Sequence, residues 1–203
     1  MRRDIPKVLR EPRAWLAMTM LAASFLSGGC ASSNEGKRMK ANVQTFQKDM
    51  NPDRLVALGK GFAAVGDTTR AEQYFSAALE RGGDDRKIIP LILRVCIQDA
   101  RYRVAIQYAE GYLRKRPDDS RTRFVLATLY AGVGENVAAR AELERVLAVR
   151  PDDADAHFAL AVLMRDIQED PVAADPHFRE YLRLKPAGEH AEEAQSSLLK
   201  SVP

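Results

Sequence analysis

The chain has 203 residues, of which 46% are hydrophobic, 29% charged and 7% aromatic, the balance of one helical globular domain plus a processing segment. Five of the 31 basic and two of the 28 acidic residues precede Cys30, which leaves 26 of each beyond it and no net charge there. A neutral domain lacks the excess of cations that phosphate neutralisation demands, so nucleic acid is not an expected partner.

Arg2, Arg3, Lys7, Arg10 and Arg13 open the chain, and an uncharged run from Ala14 to Gly29 follows, carrying Trp15, Leu16, Met18, Met20, Leu21, Phe25 and Leu26. A cationic start, an apolar middle and small residues before a break define a secretory signal over residues 1–29. The apolar stretch falls well short of the ~20 residues needed to span a bilayer as a helix. Leu26-Ser27-Gly28-Gly29-Cys30 resembles a bacterial lipobox, with its leucine one place further upstream than in the commonest form. The resemblance implies acylation of Cys30 (palmitate among the chains) and attachment of the mature protein to a membrane through that lipid. A lone thiol at this place would otherwise lie exposed in an oxidising compartment. In such lipoproteins an aspartate after the cysteine favours retention in the inner membrane. Ala31 stands there instead, which implies the outer membrane, facing the periplasm.

Ala31–Lys37 is small and polar and reads as a tether. Met39, Val43, Phe46 and Met50 recur at helical spacing, so a short amphipathic helix is expected to complete the segment 30–50.

From residue 51 onward the sequence repeats every 34 residues. Leu58, Ile92, Leu126 and Leu160 form one column, and Phe62, Cys96, Tyr130 and Met164 a second. Ala71, Ala105 and Ala139 form a third, which returns one residue late at Ala174. Phe75, Ala109, Leu143 and Phe178 follow the same shift, as do Ala78, Tyr112, Val146 and Tyr181. Pro117, Pro151 and Pro186 end successive units, with Gly82-Gly83 in place of the first such proline. Small residues at Gly59, Ala127 and Ala161 permit helices to approach closely, and Leu93 breaks that column and is expected to loosen the second repeat. Gly66 and Gly134 relieve tight turns, and Asp67 is placed to cap a helix. Around Arg165–Pro176, either Asp170 caps a helix that contains Pro176, or a helix starts afresh at Asp175-Pro176.

This register resembles the tetratricopeptide repeat. The resemblance implies an all-α, right-handed solenoid of about four helix pairs over residues 51–203. The units fall at about 52–85, 86–119, 120–153 and 154–188, with a capping helix over 189–200 closing the last apolar face. In that family the concave groove is lined by the outward side of each repeat's first helix. The resemblance therefore places Lys60, Arg94, Gln98, Arg121, Phe124, Thr128, Phe158, Val162 and Arg165 along a partner-binding groove, with Asp53, Asp155 and Asp166 on the same surface and Phe124 and Phe158 as exposed aromatic anchors. Val56 and Leu91 stand where carboxylate-clamping relatives carry polar residues, so that specialised clamp is not expected.

Cys96 lies in an inward column and reads as a small buried hydrophobe. His157, His177 and His190 appear scattered, without ligand spacing, and no phosphate loop, GxSxG elbow or HExxH motif occurs. Glu192 and Glu193 are neighbours on a helix and do not face each other. Neither a catalytic residue, a metal nor another cofactor is expected. The build as a whole is similar to that of small lipoproteins assisting type IV and Tad pilus assembly, some of which help a secretin assemble. The alternative is an adaptor docking cell-wall hydrolases or proteases onto the membrane. In either case the partner is a protein of the cell envelope.

Overall fold

Residues 50–200 are described in the computed structural model. The expected signal, Cys30, the tether and the stripe Met39–Val43–Phe46 lie outside these residues. Met50 lies inside them and packs, half-buried, against the core.

The described residues form helices and connecting turns. Four helix pairs follow one another: α1 (Pro52–Ala64) with α2 (Thr68–Glu80), α3 (Asp85–Gln98) with α4 (Tyr102–Lys115), α5 (Ser120–Gly132) with α6 (Asn136–Val149), and α7 (Ala154–Val162) with α8 (Pro171–Leu184). A last short helix, α9 (Ala191–Ser197), packs on α8. This is the solenoid of four pairs and a cap that the 34-residue period requires. No helix among the described residues is long and apolar enough to cross a membrane.

Five of the nine helix starts among the described residues are capped by aspartates. The side chains of Asp67, Asp84, Asp119, Asp153 and Asp170 each accept a hydrogen bond from a backbone N–H of the first turn, as Asn51 does for α1. Each such cap satisfies an N–H group that has no partner within the helix and contributes about 1 kcal/mol. Asp170 caps α8 with Pro171 in the first turn and Pro176 inside the helix, which resolves the two alternatives at this segment.

The alanine column Ala71, Ala105, Ala139 and Ala174 is at most 1% exposed and lies where paired helices meet. Phe75, Phe178 and Tyr181 fill the space between the helices of their own pairs, with Phe178 and Tyr181 packing on Phe158. Gly59 sits against Phe75 so closely that a Cβ there would lie 2.5 Å from its ring. Leu93 is buried at the corresponding place in the second pair, whose two backbones stay farther apart than those of the first and third. Two hydrophobic clusters result. One runs from α1 to Leu126 and Leu129 of α5, the other from Ala127 of the same helix to Ala194 of α9.

Two features depart from the column pattern. Leu58 is 36% exposed, whereas Ile92, Leu126 and Leu160 of the same column are buried. The turns within pairs all use a left-handed residue, but only two of the four are glycine: Gly66 (φ 81°), Ala100 (φ 54°), Gly134 (φ 79°) and Glu169 (φ 53°). The one-residue delay before Ala174 is absorbed by a π-helical turn, Leu163–Ile167, directly after α7.

Left-handed backbone costs a residue with a Cβ roughly 1–2 kcal/mol. Ala100→Gly should therefore stabilise the domain despite glycine's larger unfolded-state entropy, and thermal unfolding should show a higher Tm. Gly59→Ala should overpack the first pair and lower stability by about 1–3 kcal/mol, measured by denaturant unfolding.

Candidate partner-binding groove

The first helices of successive pairs, α1, α3, α5 and α7, line three hollows in series. Asp53, Val56 and Lys60 of α1 face Lys87, Ile88 and Leu91 of α3 across a hollow of about 500 Å³. Pro90, Leu93, Arg94, Ile97 and Gln98 of α3 face Arg121, Thr122 and Val125 of α5 across one of about 530 Å³. Phe124 and Thr128 of α5 and Asp155, Phe158 and Val162 of α7 form the third, of about 590 Å³, closed by Tyr181, Lys185 and His190. Hollows of this size, apolar with a few polar groups at the rim, suit side chains of a bound segment.

The structure thus brings Lys60 into the first hollow, Arg94, Gln98 and Arg121 into the second, and Phe124, Thr128, Phe158 and Val162 into the third. Arg165 is placed elsewhere. Its guanidinium lies 5.2 Å from the centroid of the Phe178 ring and pairs with Asp166 and with Glu193 of α9, 2.9 Å away. It also donates to Ser197, so this arginine fastens the cap. Asp155, on the rim of the third hollow, is bonded to Lys185 at 2.7 Å.

Phe124 and Phe158 are half-buried rather than freely exposed. Phe158 stacks on His190, with centroids 4.2 Å apart and planes 8° from parallel, and meets Phe178 edge-on. The ring forms the floor of the third hollow and packs on the core at the same time. Pro90, Ile97, Val125 and His190 were not legible as groove residues. The partial exposure of Ile97 on α3, at 39%, follows from helix phase only once the neighbouring repeat is in place.

The histidines correct the expectation that they are scattered. Nδ1 of His157 (α7) lies 2.9 Å from Nδ1 of His177 (α8), and Nε2 of His157 is 2.9 Å from the carbonyl of Pro151. Nε2 of His157 must donate to that carbonyl, so the facing nitrogens can share one proton but cannot each carry one. Burial, then the proximity of His157 and Arg140, lower the pKa of His177 from its ordinary value, with Glu144 opposing. Cys96 is fully buried, and burial first, then Glu72, push its thiol up to about 11. It is a packing residue with negligible thiolate at neutral pH.

Cross-repeat polar contacts fix the register of the groove walls. Tyr130 donates to Glu110 at 2.5 Å, the Ser76 and Tyr108 hydroxyls share a hydrogen bond of 2.8 Å, and Glu72 bridges to Arg101 and Tyr108.

Known proteins share this fold. The family profile described as tetratricopeptide repeat matches residues 97–163. The fold is a tetratricopeptide solenoid. Solved structures support it over most of the chain. YrrB, described as a tetratricopeptide protein with an unusual peptide-binding site, is 18% identical with a TM-score of 0.63, over 82% of this chain and 86% of its own. MamA from Desulfovibrio magneticus RS-1 is 19% identical with a TM-score of 0.61, over 78% and 89%. A tetratricopeptide repeat protein from Parabacteroides merdae is 17% identical with a TM-score of 0.64, over 72% and 58%. No curated protein sequence matches significantly.

His177 gives the solenoid a pH dependence with a definite sign. His177 takes up a proton more readily in the unfolded chain than in the folded one. Its contribution to stability is therefore present above its ordinary pKa of about 6.5 and is lost as pH falls from there towards the lowered folded value. Denaturant midpoints should fall over that interval in the parent, and His177→Gln should flatten the dependence.

Proposed function

We propose that the chain is a non-enzymatic scaffold of the bacterial envelope, anchored by lipid on Cys30 and holding a protein partner in the groove of its tetratricopeptide solenoid. The observation that carries this reading is the row of three hollows along α1, α3, α5 and α7, mostly apolar with charged and polar groups at their rims. The description of YrrB as a peptide-binding tetratricopeptide protein supports it. The lipobox-like segment before Cys30 supports the anchor, since two or more acyl chains hold a protein stably on a bilayer where one does not. Ala31 after the cysteine favours the outer membrane, periplasmic side, and the build as a whole favours service to an envelope machine such as a type IV or Tad pilus or its secretin.

Cys30→Ala should move the protein from the membrane to the soluble fraction on cell fractionation. A variant still fully membrane-bound refutes the lipid anchor. A photo-crosslinking residue at Thr128 should capture pilin or secretin subunits. Capture of peptidoglycan hydrolases or envelope proteases instead replaces the pilus reading with that of an adaptor for cell-wall enzymes.

A further inference from the structure

The three hollows differ in how their charges are balanced. In the first, Lys60 and Lys87 share the lining with Asp53 and Asp84. In the third, Lys185 is bonded to Asp155 and Glu189 stands beside it. The middle hollow carries Arg94 and Arg121 and no carboxylate in its lining. Neither arginine has an acidic partner within 4 Å among the described residues, whereas Arg101, Arg116, Arg123 and Arg165 are all paired. Both arginines are exposed, above an apolar floor of Leu93, Ile97 and Val125.

We propose that the middle hollow selects an extended segment of the partner in which an Asp or Glu lies one or two residues from a leucine-sized apolar side chain. The apolar side chain seats on Leu93, Ile97 and Val125, and the carboxylate bridges Arg94 and Arg121. Guanidinium groups suit this task because they bind a carboxylate through paired N–H donors. The hollow is open, and others lie before and after it along the first helices, so a peptide can run through it. An acyl chain, the other apolar anion, would leave much of its length in water in a hollow this open. The proposal rests on the reading of this groove as the partner-binding surface.

The test uses the full chain, a fluorescent library of random dodecapeptides, and a fluorescent fatty acid as the competing probe. Bound peptides should be enriched in Asp or Glu next to Leu, Ile or Phe, and their binding should weaken with salt. Arg94→Glu combined with Arg121→Glu should lower affinity for those peptides by about tenfold or more and shift preference towards Lys and Arg. Arg94→Lys with Arg121→Lys should retain the acidic preference. Both arginines are exposed and unpaired, so circular dichroism should show the variants folded. Peptide binding that ignores both arginines but is lost in Phe124→Ser overturns this assignment and leaves the groove reading standing. Binding of the fatty acid without peptide overturns it in favour of an acyl ligand, and a groove that binds no probe overturns both readings.

Discussion

Two helices of a pair approach most closely where the residues at their crossing are small, and this closeness organises the molecule. Ala71, Ala105, Ala139 and Ala174 occupy the crossings, and Gly59 carries the requirement furthest, with the Phe75 ring in the space a side chain would take. Because the pairs repeat the same order of helices, each first helix turns the same side outward. The hollows between α1, α3, α5 and α7 are the consequence. Dispersion and apolar burial supply most of the energy. The ion pairs across the surface, most of them exposed, contribute little each.

Much of this was legible because a column asks for one kind of residue at one period. Pairing, the cap and the place of the groove helices follow from the alanine, aromatic and proline columns, with no long-range information. Properties that depend on what a neighbouring repeat presents were not legible. Leu58 sits in an inward column yet is partly exposed, since column membership alone does not set burial. Phe158 reads as an outward aromatic until His190 is found stacked on it. Arg165 reads as a groove cation until α9 supplies Glu193 and Ser197. His157 and His177 stand twenty residues apart in sequence and touch only because α7 and α8 are antiparallel neighbours. Ala100 gives no sign of left-handed backbone, since the repeat geometry imposes it against the residue's own preference.

The array has an interior seam. Successive residues of α5 serve different cores, Leu126 and Leu129 the first and Ala127 the second. In a solenoid each unit contacts only its neighbours, so this helix is the shared wall through which the two halves support each other. Arg123 and Glu142 pair at 2.5 Å beside it, both largely buried, and Arg123 reaches back to the carbonyl of Pro117. The middle hollow abuts the same helix, so its shape is coupled to the stability of both halves.

The π turn at Leu163–Ile167 shows how such an array edits its own length. In a regular α-helix one inserted residue rotates everything downstream by about 100° and would carry an inward side chain out to solvent. Here a single widened turn takes up the extra residue, and Ala174, Phe178 and Tyr181 still arrive inside. Insertions of this kind are therefore survivable wherever a repeat can swell at the end of its first helix.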